Sequence, residues 1–346
     1  MIAYTHGGDI WNKAPGLADF SANLNPLGMP PAVALAAAEG AKQATCYPDP
    51  LCRDLSAKIA TVDGVAPQWV LCGNGAADLI FRLAVALQPK KALVTAPTFS
   101  EYAQSLSIVG CETTHHLLLP EENFTVTDRI LDALDRALDI LFLCSPNNPT
   151  GQLVDEKLML AILEKSAQFN IQVVVDECFL GLSTGGVGLA PYLSQYPNLF
   201  LLRAFTKSYA MAGLRLGYGL SSSQELLDKV AQCGQPWSVS TPAQLAGLAA
   251  LDCPDWVVQA RALLAQERPR LVHALQSLGL TVYGGQANYI LFQAKGCCDL
   301  KERLLEKQVL IRACNNYQGL GGDYYRICIK SQEENQRLIT ALQEVL

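Results

Sequence analysis

The sequence predicts an α/β protein with a mostly parallel central sheet and a smaller α+β domain. Three observations predict it. In the middle of the chain, short apolar or β-branched runs alternate with longer helical patterns, as in βαβ units. The chemically unusual residues cluster just after those runs, where an open parallel sheet presents its ligand crevice. After Pro254 the alternation changes to a long helical pattern, then strands, a helix and another strand. Half of the 346 residues are hydrophobic and 17% are charged, which allows a large core and excludes a disordered or low-complexity chain.

In chain order, Pro30 and Pro31 introduce an Ala-rich helix to about Ala44, since proline suits a first helical turn. Strands are expected at Trp69–Cys72, Ala92–Thr95, Ile140–Cys144, Ile171–Val175 and Leu199–Arg203, each short, apolar and bounded by turn residues. Helices are expected at Ala76–Gln88, Val154–Gln168 and Gln224–Cys233 from their 3.6-residue periodicity. The helix after Pro254 should kink or break at Pro269. Strands at Leu280–Tyr283, Tyr289–Gln293 and Tyr325–Lys330, with a helix at Leu300–Lys307, complete the tail. The implied division is an N-terminal segment 1–40 belonging with the small domain, a large domain 41–250 and a C-terminal small domain 251–346.

The 26 basic and 32 acidic residues give a formal charge of −6, so no broad footprint for nucleic acid or an anionic membrane is expected. Met1–Gly8 is polar and the longest apolar runs fall far short of the roughly 18 residues of a membrane span, so a cytosolic protein without a signal peptide is expected. The 12 cysteines are dispersed, and Cys144, Cys178 and Cys328 sit in apolar runs, which reads as reduced thiols. Cys297 and Cys298 are adjacent and no Cys-x-x-Cys lies near a His pair, so no metal site is expected.

The strand ends carry the chemistry. Gly73-Asn74-Gly75-Ala76-Ala77-Asp78 opens into a helix, where glycines let the backbone approach an anion and free N–H groups meet a phosphate. An ordinary turn or a dinucleotide fingerprint competes, although the latter wants Gly or Ala where Asp78 stands. Ser145-Pro146-Asn147-Asn148-Pro149-Thr150-Gly151 is a rigid loop that leaves the Asn148 amide free for the crevice. Asp176 closes an apolar strand and needs a positive partner, as a functional group or in a buried ion pair. Thr206-Lys207-Ser208, with Arg215 eight residues after Lys207 among glycines, is hard to explain as packing.

This order resembles the fold-type I pyridoxal-phosphate enzymes, specifically the class I and II aminotransferase superfamily, over essentially the whole chain. The resemblance implies pyridoxal 5'-phosphate as cofactor. It implies that Lys207 holds it covalently and then shuttles protons, and that Asp176 pairs with the pyridine nitrogen so the ring can accept electrons. Asn148 would hydrogen-bond the phenolic oxygen. Gly75, Ala76, Thr206 and Arg215 would hold the phosphate, Tyr102 would stack on the ring, and Tyr47 would reach a neighbour's phosphate across a homodimer with shared sites. Two positions depart from the pattern: Phe179 stands where many relatives have tyrosine, and Ala204 where a hydroxyl often helps with the phosphate.

Arg312 and Arg326 match substrate-anion positions of histidinol-phosphate aminotransferases, and two guanidiniums suit a small substrate with two anionic ends, such as a phosphorylated amino acid. A solvated strand edge is the plainer alternative for Arg326, Cys328 and Lys330. The opening, His6-Gly7-Gly8 followed by Asp19-Phe20-Ser21-Ala22-Asn23-Leu24-Asn25-Pro26, resembles the threonine-phosphate decarboxylases of cobalamin biosynthesis. That branch implies His6, Gly7, Asn23, Asn148, Arg312 and Arg326 at the substrate. A histidinol-phosphate-type aminotransferase is the nearest alternative. A cofactor-binding regulator without turnover would need a DNA-binding extension for which there are no spare residues, and a nicotinamide dehydrogenase would explain neither Lys207 nor the Asn148 loop.

Overall fold

The computed structural model describes residues 6–11, 13 and 15–346, so residues 1–5 of the polar opening lie outside it. Its strands are β1 Ala18–Asp19, β2 Val70–Gly73, β3 Lys91–Ala96, β4 Glu112–Leu117, β5 Ile140–Cys144, β6 Gln172–Asp176, β7 Leu199–Ala204, β8 Gly217–Leu220, β9 Thr281–Tyr283, β10 Tyr289–Gln293, β11 Val309–Leu310, β12 Arg312–Ala313 and β13 Tyr324–Cys328. Seven form one sheet in the order β2-β8-β7-β6-β5-β3-β4. Strands β3 to β7 are parallel where they pair, and β8 runs antiparallel to both of its neighbours.

All five residues of β5 are buried, as a strand covered on both faces requires. The alternation of side chains divides its contacts. Phe142 and Cys144 join Val174, Phe200 and Leu202 under helices Ala76–Leu87, Glu101–Ile108 and Gln224–Gln232. Leu141 and Leu143 join Val173, Val175 and Leu201 over helices Arg53–Asp63, Glu156–Phe169 and Thr241–Leu251. The result is three layers with the sheet in the middle.

A second, antiparallel sheet has the order β12-β13-β10-β9. It shares a core with helices Pro254–Ser277 and Gln332–Val345 through Leu264, Leu271, Phe292, Tyr325, Leu338 and Leu342. Near the N-terminus β1 pairs in parallel with β11, Ala18 opposite Val309.

The expected elements recur with shifted ends. The helix expected from Val154 begins at Glu156, because the Asp155 side chain accepts from the backbone N–H groups of Lys157 and Leu158. Pro269 does not break its helix, which runs unbroken over Pro254–Ser277. Proline removes the hydrogen bond to the Ala265 carbonyl, but both residues lie on the exposed face, where water can satisfy that oxygen. Strands β4 and β8 have no counterpart among the sequence expectations. Strand β4 is a half-exposed edge, and β8 is four residues long with Gly217 and Gly219 interrupting its apolar pattern. Those glycines are steric requirements: a Cβ on Gly219 would lie 2.2 Å from the Phe200 ring, and one on Gly217 2.4 Å from the Ala76 nitrogen.

Candidate active site

Strands β5, β6 and β7 end side by side, with Cys144 opposite Asp176 and Asp176 opposite Leu202. The segments that follow open on one cleft enclosing about 580 Å³, lined by Ala76, Tyr102, Asn148, Asp176, Thr206, Lys207 and Arg215, together with Phe99, Cys178, Phe179 and Ala204. Residues scattered over 140 positions in the sequence thus meet around one cleft.

Asp176 is the last residue of β6 and is buried. The Tyr102 hydroxyl donates to its Oδ2 at 2.6 Å and the Cys178 backbone N–H to its Oδ1 at 2.9 Å. Its neighbour Glu177 has a cation, the Arg203 guanidinium at 2.7 Å, whereas no lysine or arginine pairs with Asp176 among the described residues. A buried carboxylate without a counter-charge fits a ligand that brings one, such as a protonated pyridine nitrogen. Burial of the Tyr102 phenol, and after it the negative charge of Asp176, hold that phenol well above its usual pKa.

Lys207 lies in a short helix, Phe205–Ser208, directly after β7. Its amine is enclosed by protein although the residue reaches the cleft. Burial, reinforced by the Arg326 and Arg215 guanidiniums and opposed by Cys178 and Asp176, lowers its pKa from 10.5 to about 8. Only the neutral amine attacks an aldehyde. The rate at which cofactor-free protein captures pyridoxal phosphate should therefore rise about tenfold per pH unit up to pH 8 and then level off. Stopped-flow absorbance would check this; a rate still climbing steeply from pH 9 to 10 would contradict it.

Helix Ala76–Leu87 begins at the cleft, and its N-terminus offers free backbone N–H groups of the kind that suit an anion. Gly75 has φ +78°, and a Cβ there would lie 2.8 Å from Arg215 Nη2, so glycine is what lets that guanidinium close over the turn. Asp78 ties the loop to the helix, since its carboxylate accepts the Asn74 N–H at 2.9 Å and pairs with Arg82 at 2.7 Å. Thr206 supplies a hydroxyl in the cleft, and Ala204 lines it without one.

Tyr102 lines the cleft, but its ring stacks on Phe142 at 5.2 Å and its hydroxyl belongs to Asp176. Half-buried Phe99 is the second aromatic of that wall, standing between Tyr102 and His6 with centroids 5.7 and 6.2 Å away. Phe179 places its ring 5.4 Å from the Lys207 amine. Asn147 braces the loop by donating to the Pro97 carbonyl at 2.9 Å and accepting from Thr98 at 2.7 Å. That leaves Asn148 for the cleft.

Arg312 of β12 and Arg326 of β13 are direct cross-strand partners, and both are buried. Like charges directly opposite each other destabilise a sheet. Neither has a carboxylate partner among the described residues: Arg326 donates to Asn148 Oδ1 and, at 2.7 Å, to the Ser21 carbonyl, while Arg312 donates to the Ala313 carbonyl and Asn316 Oδ1 at 2.9 and 2.7 Å. With its amide oxygen turned inward, Asn23 accepts from Arg326 Nε and Nη1 at 3.2 and 3.3 Å. Arg312 also lines a second hollow with His6, Gly7, Ser21, Lys13 and Lys301.

His6 pairs with Glu101 at 3.0 Å. Gly7 is glycine for packing, since a Cβ would lie 2.1 Å from the Ser21 carbonyl oxygen. Two residues to which the sequence assigned no role join the site. Asn25 receives Lys207 and Ser208 by donating its backbone N–H to the Lys207 carbonyl at 3.0 Å and its side chain to the Ser208 carbonyl at 2.7 Å. Tyr317 touches both arginines and Asn148. Tyr47, by contrast, does not line this cleft; it is 79% exposed and stacked on Trp237 at 4.4 Å.

The class I and II aminotransferase family matches residues 15–342. The chain is 40% identical to the threonine-phosphate decarboxylase of Salmonella typhimurium, over 99% of this chain and 96% of that protein. It is 34% identical to the histidinol-phosphate aminotransferase of Symbiobacterium thermophilum, over 95% of this chain and 91% of the other. Its fold superposes on the crystal structure of the Clostridium acetobutylicum histidinol-phosphate aminotransferase with a TM-score of 0.89 at 27% identity, covering 95% of this chain and 99% of that one. With Lys207, Asp176 and the Asn148 loop around one cleft, and the match spanning nearly its full length, this chain belongs to the class I and II aminotransferases, a family that works with pyridoxal phosphate.

Proposed function

We propose that this enzyme decarboxylates L-threonine O-3-phosphate to (R)-1-aminopropan-2-yl phosphate and CO2, the cobalamin-pathway reaction that the N-terminal resemblance implies. The observation that carries the proposal is the directly opposed pair Arg312 and Arg326, buried, without carboxylates, and beside Asn148. Like charges at that spacing cost stability, and a substrate with two anionic ends offsets the cost. The greater identity to the Salmonella decarboxylase than to the aminotransferase supports the same reading.

When bound, pyridoxal phosphate supplies an electron sink for the pair left at Cα. Lys207 and Asp176 would hold it from the two sides of the cleft, with Asn148 placed to donate to its phenolic oxygen, Phe99 and Tyr102 as the aromatic wall, and Gly75, Ala76, Thr206 and Arg215 at its phosphate. Arg326, next to Asn148 and Lys207, orients the amino-acid end, and Arg312 with the His6–Gly7 segment takes the substrate phosphate further out. Asn23 steadies Arg326. The Cα–carboxylate bond would break with CO2 departing, and the electron pair left at Cα would take a proton from the Lys207 ammonium, leaving a neutral amine.

A homodimer is part of this reading, since exposed Tyr47, braced on Trp237, is free to reach a second copy's phosphate seat. So is the cytosol; no helix of the described residues is long and apolar enough to cross a membrane. The decisive assay offers phosphothreonine alone, and histidinol phosphate with 2-oxoglutarate, to the holoenzyme. CO2 from the first without glutamate from the second is expected. Glutamate without CO2 would make the chain an aminotransferase.

A further inference from the structure

Between the two opposed arginines stands one buried side chain. The Arg312 guanidinium lies 5.5 Å over the Tyr317 ring, a cation–π distance. The Tyr317 hydroxyl donates to Asn148 Oδ1 at 3.2 Å and accepts from Arg326 Nη1 at 3.4 Å. Arg326 donates to the same Asn148 oxygen. With two donors on its oxygen, the Asn148 amide has its nitrogen left to face the cleft. We propose that Tyr317 is a positioning residue: its ring sets the distance between the two anion grips, and its hydroxyl fixes the orientation of Asn148 toward the cofactor. This rests on the reading of Arg312 and Arg326 as grips for a doubly anionic substrate.

The ring and the hydroxyl therefore have separable effects. An Asn148 N–H on the phenolic oxygen stabilises negative charge there and lowers the proton affinity of the group beside it. Loosening Asn148 raises the pH midpoint at which the holoenzyme's visible absorbance titrates. Loss of the ring platform frees Arg312 and weakens the hold on phosphate. The charged and titratable groups facing Tyr317 are Arg326, Arg312, Cys314 and Glu101, and those around Lys207 are Arg326, Arg215, Cys178 and Asp176; each variant below keeps all of these except where Arg312 is itself replaced.

The test compares Tyr317→Phe, Tyr317→Leu and Arg312→Ala holoenzymes by absorbance titration and by KM and kcat for phosphothreonine. Tyr317→Phe is expected to raise the absorbance midpoint by about 0.5 pH unit or more while KM moves less than about twofold. Tyr317→Leu is expected to raise the midpoint likewise and KM about tenfold, and to add nothing to KM when combined with Arg312→Ala. If Arg312→Ala raises KM but either Tyr317 shift is missing, the positioning role is overturned and the proposed substrate stands. If Arg312→Ala leaves KM unchanged, both fall. A purely structural tyrosine would lower melting temperature and cofactor content in both variants without separating midpoint from KM.

Discussion

Lys207→Ala should reduce turnover by about 10⁴-fold or more, about 5.4 kcal/mol at 1.36 kcal/mol per decade, and abolish covalent cofactor attachment. Borohydride reduction followed by intact-mass measurement reads the attachment directly: the native chain retains the cofactor mass and the variant does not. The fold should survive, because the Lys207 amine enters no ion pair among the described residues and has the Phe179 ring as its neighbour. Its folded-state pKa of about 8 lies below the 10.5 of a free lysine. Below pH 8 the cofactor-free native state therefore carries a desolvated charge that unfolding relieves, a penalty that fades as pH rises toward 10.5. The alanine variant of the cofactor-free protein should accordingly melt no lower than the native chain at pH 7. Retained covalent attachment in the variant would refute the role of this lysine.

Asp176→Asn should lower kcat by about 10³-fold, about 4 kcal/mol, while leaving the shape of the site intact. Asparagine fills the same volume and keeps one oxygen to accept from Tyr102 or the Cys178 N–H, so the loss isolates the negative charge opposite the ring nitrogen. A second signal should accompany it. Part of the upward shift of the Tyr102 phenol comes from the Asp176 charge, so its ultraviolet titration should move to lower pH in the variant, although burial keeps it above that of a free tyrosine. A kcat within tenfold of the native value would remove Asp176 from the chemistry.

The parts of the site carried by strand ends were legible because turn chemistry is local. Gly73 to Asp78, Ser145 to Gly151 and Thr206 to Arg215 are punctuated by glycine, proline and asparagine, which announce a loop after an apolar strand wherever the chain later folds. Tyr317 carried no such mark, and the Asn25-Pro26 turn was visible without saying what it holds. Their partners lie 169 positions away at Asn148 and, for Asn25, at Lys207 and Ser208, with 183 positions to the latter. Spacing within a segment cannot express contacts of that span. The Tyr102 hydroxyl bond to Asp176, across 74 positions, was hidden for the same reason, and an aromatic read as a ring-stacking residue has its phenol engaged by the carboxylate. Strand β8 shows the reverse problem: its glycines mask a strand, and they make room for Phe200 and for the Ala76 nitrogen.

The staple between Asn25 and the Lys207 turn depends on the far end of the chain. The segment that bears Asn25 is held by β1, whose partner β11 begins at Val309, and by the Ser21 carbonyl, whose donor is Arg326. A chain cut before residue 309 would keep Asn25 and the lysine turn but lose the β11 and Arg326 contacts that press the N-terminal segment against that turn, so C-terminal truncation would loosen Lys207 from a distance.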